Sequence, residues 1–315
     1  MPIQFGRTAY IALNEESSYG TANGAPFGVN NRVFSVSMGR SQERERTTHL
    51  SQSSAAFAVN TFDGFEIAGG TIETPLTYKG LGMLFKAAIG SASSAASGSL
   101  FLHTFTPSAD LPSLTIAVQR GTGSSEQFEG CVVSNMTISC EAGGEGRASF
   151  EIIAETATAR ASSIGAPGFG DGTQIFHFQA GTLSFNSATY KMRSMELSLD
   201  NKLERVNHLG SKLTAQPQIS DVREVTLTVT LDLEDDNLYN AQLTPPSAQN
   251  VEVSFTNGTD IFGILIRNAE ITDYSDDITS FGRIERTVTF FGLSDASNEA
   301  LRIEITNDAS SAISN

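Results

Sequence analysis

The chain has 315 residues and a formal net charge of -15, from 35 acidic and 20 basic side chains. Its hydrophobic content of 39%, including 20 Phe, can fill a core, which excludes global disorder. The acidity excludes an electrostatic grip on nucleic acid, and no apolar run approaches the roughly 20 residues of a membrane helix. No basic-then-apolar leader opens the sequence, so neither a signal peptide nor a membrane anchor is read. Residues beyond 160 carry most of the negative excess.

Taken in chain order, the first strong element is Gly70-Thr71-Ile72-Glu73-Thr74, a strand-like run ahead of a helix over Lys79–Ile89. There Leu81, Leu84, Phe85 and Ala88 recur at three- and four-residue steps, and Gly90 supplies the stop. Ser91–Gly98 is small and polar and reads as a flexible linker. Leu114–Val118 alternates as a strand, and Gly121–Gly123 offers turn chemistry. Cys131 and Cys140 are an odd number of positions apart. On one strand they would lie on opposite faces about 30 Å apart, unable to bond to each other. Ala148–Ile152 is a further strand, and the Gly-, Ser- and Pro-rich stretch 159–173 reads as a linker between domains 1–160 and 161–315.

Met195–Leu203 alternates weakly. Val225–Glu234 alternates over ten residues, with Val225, Leu227, Val229, Leu231 and Leu233 on one face and Thr226, Thr228, Thr230, Asp232 and Glu234 on the other. A second short helix is expected over Asp235–Leu243, where the two leading acids suit a helix N-terminus and Pro245-Pro246 follows. Val251–Phe255, the Asn257-Gly258 turn and Arg286–Phe290 complete a mainly β pattern with one short helix per half.

The halves repeat each other in order. Glu45-Arg46 and His49-Leu50 match Glu204-Arg205 and His208-Leu209 at one constant offset. Gly70–Thr74 precedes the first helix as Val225–Val229 precedes the second, and Gly130, Asn135 and Ile138 match Gly263, Asn268 and Ile271. A tandem duplication is the reading.

Chemistry is not written into this chain. His49, His103, His177 and His208 form no metal-ligand spacing, and neither cysteine has a base at a catalytic interval. Asp232–Asn237 lacks the Gly and distal Glu of a calcium loop, and Asp273, Asp276 and Asp277 read as a turn. Gly168–Gly172 has no preceding strand and no Lys-Ser/Thr, so it is linker rather than phosphate loop. Asn135-Met136-Thr137 and Asn257-Gly258-Thr259 match glycosylation acceptors by chance. Catalytic, metal and cofactor residues are therefore none.

Phe5-Gly6-Arg7 through Glu15-Glu16-Ser17-Ser18-Tyr19-Gly20-Thr21, then Gly70-Thr71-Ile72-Glu73 with Tyr78-Lys79-Gly80-Leu81-Gly82, resemble the tail tube protein family of long-tailed bacteriophages (the siphovirus type). So do His103-Thr104-Phe105, Leu111–Thr115, Phe128–Cys131, Ser198–Glu204 and Leu231–Asp235. The resemblance covers nearly the whole chain, and its motifs are structural. It implies two tandem β-sandwich or barrel modules, each flanked by a helix, in a non-enzymatic virion protein made in the host cytoplasm. It further implies rings that stack into a hollow tube for tape measure protein and DNA. A two-module chain would form a trimeric ring with pseudo-six-fold symmetry, meeting tail terminator and distal tail proteins at its ends. DNA would pass without specific binding, and no membrane is involved. On that reading Thr71, Glu73, Thr226, Thr228, Thr230, Asp232 and Glu234 face the lumen as a Thr and acid wall without Lys or Arg. The loops carrying Glu43, Arg44, Glu45 and Arg46, and Lys202, Glu204 and Arg205, would link subunits. Alternatives are a distal-tail or terminator ring protein, or a surface-displayed β-sandwich binding module, against which the absence of Trp and of a signal sequence counts.

Overall fold

The computed structural model describes residues 6–313 apart from 25, 48–59, 122–123, 161–163, 165–166, 170–174, 234–235, 244–248, 277–283 and 296–297. The first half runs β1 (Tyr10–Glu15), β2 (Val29–Asn31), β3 (Ser35–Val36), β4 (Gly39–Thr47), β5 (Asn60–Pro75) and α1 (Gly82–Ile89). It continues with β6 (Gly90–Ser97), β7 (Leu100–Pro107), β8 (Leu114–Arg120), β9 (Ser124–Glu141), β10 (Arg147–Ala154) and β11 (Thr156–Arg160). The second half runs β12 (Gly181–Phe185), β13 (Ala188–Tyr190), β14 (Met192–Asp200), β15 (Leu203–Val206), β16 (Ala215–Ile219) and β17 (Glu224–Asp232). Then follow α2 (Asn237–Leu243), β18 (Gln249–Asn257), β19 (Asp260–Ser275), β20 (Glu285–Gly292) and β21 (Arg302–Asn307). The protein is mainly β with two helices, as the alternation in the sequence indicates.

All named strand pairs are antiparallel. One broad run goes β4–β5–β10–β9–β14–β17–β20–β19. The long strands β9 and β19 each serve two neighbourhoods. The first part of β9 pairs with β8 and β11 and its second part with β10 and β14. β19 likewise pairs with β18 and β21 early and with β20 late. The β8–β1–β2 and β21–β7–β6 extensions widen the sheet further.

One contiguous buried cluster draws on residues from both sides of position 160, including Ile72, Phe105, Phe150, Leu197, Leu227, Phe262 and Phe290. At its centre the Phe85 ring lies 5.8 Å from Phe105 and 5.9 Å from both Phe150 and Phe262. Every residue of α1 except Lys86 is buried, so this short helix is held by packing rather than by propensity. A Cβ on Gly82 would stand 1.5 Å from the Ala312 carbonyl oxygen, so only glycine lets the C-terminal segment cross the helix there.

The carbonyls at the end of α1 have no partners within the helix. Residues of the second half supply them. Asn201 Nδ2 donates to Ala88 O and Val133 O, each at 2.9 Å, and the Arg223 guanidinium donates to Ala88 O, Ile89 O and Ser108 O. The positive charge of Arg223 also suits the helix C-terminus.

Several expectations change. Ser91–Gly98 is not a linker: β6 pairs along its length with β7, and Ser91 Oγ donates to Thr106 O at 2.8 Å. The first helix begins at Gly82, after a turn with Gly80 at φ +88, rather than at Lys79. Met195–Leu203 is interrupted after Asp200, where Lys202 adopts φ +50 and opens a separate hairpin, β15–β16. Glu43, Arg44, Glu45 and Arg46 stand on strand β4, and Glu204 and Arg205 on β15, so only Lys202 lies in a loop. The cysteines are both free and belong to the same buried cluster, not to opposite faces. A register shift against β10 between Glu151 and Ile152 inserts an extra residue in β9, which reverses the side-chain parity between them. Within the 159–173 stretch, Ala159 and Arg160 finish β11, and Ile164 and Phe169 pack on Tyr10, Ala12 and Ala117. Glu234, Asp235 and His49 lie outside the described residues.

Candidate functional surface

In β17 the alternation is realised as far as Asp232: Val225, Leu227, Val229 and Leu231 are buried while Thr226, Thr228, Thr230 and Asp232 remain partly exposed, and Leu233 lies past the strand, half-buried. The strand register extends this wet face across the broad sheet. Glu73, Ser149, Thr137, Ser198 and Thr226 stand side by side on β5, β10, β9, β14 and β17. A second row is Arg147, Ser139, Glu196, Thr228 and Thr289, and a third is Thr71, Glu151, Asn135, Asp200 and Glu224. The candidate residues Thr71, Glu73, Thr226, Thr228, Thr230 and Asp232 thus share one continuous polar face. Thr228 and Thr289 hydroxyls meet at 3.2 Å and those of Thr230 and Thr287 at 3.4 Å, a cross-strand threonine ladder.

The expected wall without Lys or Arg needs correction. Two neighbouring strands and the loop after β14 bring three cations to this face, each tied to two carboxylates. Arg147 Nη1 lies 2.8 Å from Glu73 and its Nη2 3.5 Å from Glu145. Arg193 lies 2.7 Å from Asp232 and 2.5 Å from Glu285. Lys202 Nζ lies 2.9 Å from both Asp200 and Glu224. The hydrogen bonds they donate to these carboxylates hold Arg193 and Lys202 above their ordinary pKa values. Burial pushes the Asp200 carboxyl up, but its bonds from the Lys202 side chain and backbone N–H outweigh that and leave it lowered. Two carboxylates per cation leave the face net negative and its cations occupied.

Beside this face a cleft of about 910 Å³ separates the first half from the β15–β16 hairpin. It is lined by charged and polar groups including Arg40, Glu151, Asp200, Lys202 and Asp221. Arg205, at its edge, donates through Nη1 to Ala154 O at 3.3 Å and through Nη2 to Ala68 O. It therefore clamps its hairpin on the first half of its own chain, and burial lowers its pKa. Arg44 lies 3.7 Å from Asp63 on the neighbouring strand, both exposed.

Sequence reasoning missed the Glu16 carboxylate. It is buried, and it accepts bonds from Ser113 Oγ at 2.7 Å, Thr115 Oγ1 at 2.9 Å, and the N–H groups of Gly130 and Gly20 at 2.9 and 3.0 Å. Those four donors satisfy the charge by stitching the N-terminal segment to β8 and β9. Nothing local in Glu15-Glu16 signals this, because three of the four donors, on Ser113, Thr115 and Gly130, lie far along the chain. Nearby, burial and then the charges of Glu16, Glu129 and Glu66 raise the pKa of Glu155.

Among the described residues no group of three or more His, Cys, Asp and Glu side chains is arranged to hold a metal ion. The site is thus a wide wet sheet face over one large packed core, with a small second cluster at Tyr10, Ala12 and Ala117. The chain matches the family model for phage tail tube protein over residues 6–298, most of its length, and it belongs to that family. The family is structural rather than catalytic, and the resemblance read from the sequence is borne out by this match. No curated protein matches the chain significantly.

Proposed function

We propose that the chain is the tail tube subunit of a siphovirus-type phage, a two-module protein whose copies close into trimeric, pseudo-six-fold rings. The rings stack into the conduit for tape measure protein and DNA, in the virion tail, after synthesis in the host cytoplasm. Terminator and distal tail proteins would meet its two ends. The observation that carries this is a repeated strand order. β4–β5–β10–β9 in the first half corresponds to β14–β17–β20–β19 in the second, each with its helix following the second strand, and β9 pairs with β14 to join them.

That internal junction supplies the pattern for closure. The outer strands of the run are β4 at one end and the late part of β19 at the other, and exposed sheet edges invite pairing with another copy. Adding the β3–β4 edge of one copy to β19 of the next repeats the β9–β14 contact at each step, and three steps close a ring. The Thr- and acid-rich face then lines the bore. Its cations are already bound to carboxylates, so phosphates passing along it find no lasting hold.

Electron microscopy of concentrated protein with the mass of a single ring tests this. Hollow tubes whose rings weigh three chains are expected. Rings of six chains would refute the two-module arrangement, and single rings that never stack would point to a terminator or distal-tail role.

A further inference from the structure

The internal repeat pairs a covered surface with an uncovered one. In the second half, the β15–β16 hairpin is docked on the first half of its own chain. Arg205 grips Ala68 O and Ala154 O, Lys212 O accepts the Glu66 N–H at 2.9 Å, and Tyr19 Oη donates to Thr214 O and Ala215 O, each at 3.3 Å. Thr214 and Pro217 are buried by that docking. The seam that receives the hairpin is Glu66–Ala68, just ahead of the Gly70–Thr74 run.

The counterpart of this hairpin in the first half is the paired stretch of β4 and β5 that carries Glu45-Arg46, the match of Glu204-Arg205. Its face is strongly apolar and open: Phe62 is 56% exposed, Phe65 41% and Ile67 43%. Phe62 stands across from Glu45 and Ile67 across from Ser41, and the register shift between Gln42 and Arg44 puts both on one side, with Phe65 in the bulge between them. The counterpart of the receiving seam, by the match of Gly70–Thr74 to Val225–Val229, is Asp221–Arg223. There Val222 is 76% exposed. In one contact the hairpin and its seam meet within the chain; in its repeat Phe62, Phe65 and Val222 stay exposed, while Arg223 at the end of that seam turns inward onto the α1 carbonyls.

We propose that the Phe62–Phe65–Ile67 face of one copy docks on the Asp221–Arg223 seam of a second copy of this chain, repeating between copies what β15–β16 does within one. Phe62, Phe65 and Ile67 on one side and Val222 on the other supply apolar anchors to this contact, and desolvated aromatic anchors hold interfaces better than rim charges such as Glu43–Arg46. The inference rests on the ring reading above and adds its adhesive surface.

The test places a photoreactive aromatic residue at the anchor, Phe62→p-benzoylphenylalanine, in the full-length protein. After irradiation of assembled tubes, mass spectrometry should recover the captured peptide around residues 220–224 of another copy, and the covalent ladder should end at three chains. Capture on any other region, capture within the same chain, or a ladder running past three overturns the proposal, even when the tubes themselves are intact. Failure of the unmodified protein to form rings overturns both this proposal and the ring reading. In parallel, Phe62→Ser with Phe65→Ser should lower the assembled fraction at least about tenfold with urea unfolding unchanged, whereas Phe178→Ser, 40% exposed elsewhere, should not. Assembly at the wild-type level in the double variant overturns the proposal.

Discussion

Placing free positive charge on the proposed bore is the sharpest perturbation of the functional reading. Thr226→Lys with Thr230→Lys suits this purpose, because the cross-strand neighbours of these threonines are Ser198 and Phe291, and Ser194 and Thr287, none of them acidic. The nearby carboxylates Asp232 and Glu285, and Glu224 and Asp200, are already engaged by Arg193 and Lys202, which leaves Glu196, across from Thr228, as the remaining acid diagonal to the two new lysines. The new ammonium groups therefore stay available to phosphate. Partly exposed strand positions tolerate such changes at about 1 kcal/mol or less, so tubes should still form. Each phosphate contact steepens the dependence of log K on log salt by about 0.9, and a trimeric ring would offer about six such contacts. Six contacts correspond to roughly a thousandfold weaker hold at 200 mM than at 50 mM salt. Virions carrying the double variant should eject DNA slowly at low salt and recover as salt is raised, while wild-type particles show no comparable dependence. Intact tubes with unaltered ejection at every ionic strength would refute the assignment of this face to the bore.

Two stability predictions follow from the junction between the halves. Asn201→Ala removes both 2.9 Å bonds from a fully buried amide and leaves the Val133 carbonyl without it, at a cost of about 2–4 kcal/mol; a loss below about 1 kcal/mol in urea unfolding would show that this cap does not hold α1 to β9. Glu155 has its pKa raised from 4.5 by burial and then by neighbouring carboxylates, so the folded state binds its proton more tightly than the unfolded chain does. Its ionisation lowers stability as pH rises from the unfolded value through the folded one. Glu155→Gln should accordingly unfold at higher urea than wild type at about pH 7, with the gain fading by about pH 4. An equal or lower midpoint at neutral pH would refute this.

How much of this architecture could be read in advance depended on whether a segment's neighbours were written into its own pattern. β17 was legible because one of its faces is dry and the other wet, and period-2 alternation records that directly. β6 was not: Ser and Ala carry no such record, and the strand exists because β7 supplies its partner across a turn at Gly98. The cysteines misled for a related reason. Parity along β9 holds only while the ladder is regular, and a bulge leaves no mark in composition.

The same distinction governs the candidate face. Its sign was readable, since Thr and acid dominate the outward positions of β17 and of Gly70–Thr74. Its cations were not, because Arg147 and Arg193 stand on other strands and reach Glu73 and Asp232 only through the sheet register. Their presence changes the physical argument. A wall without basic residues repels phosphate by net charge alone, and salt screens that repulsion over about 8 Å. A wall whose cations are each held by two carboxylates is also denied the specific contacts that would trap phosphate, and those short ion pairs persist at ionic strengths that erase the long-range field. Smooth passage then depends on keeping each guanidinium occupied as much as on the total charge. By that logic Glu73→Gln with Glu145→Gln, and Asp232→Asn with Glu285→Gln, which release Arg147 and Arg193 without adding any cation, should slow passage in the same salt-dependent way as the added lysines. Total charge alone would instead predict a smaller effect, scaling with the negative charge lost at each site.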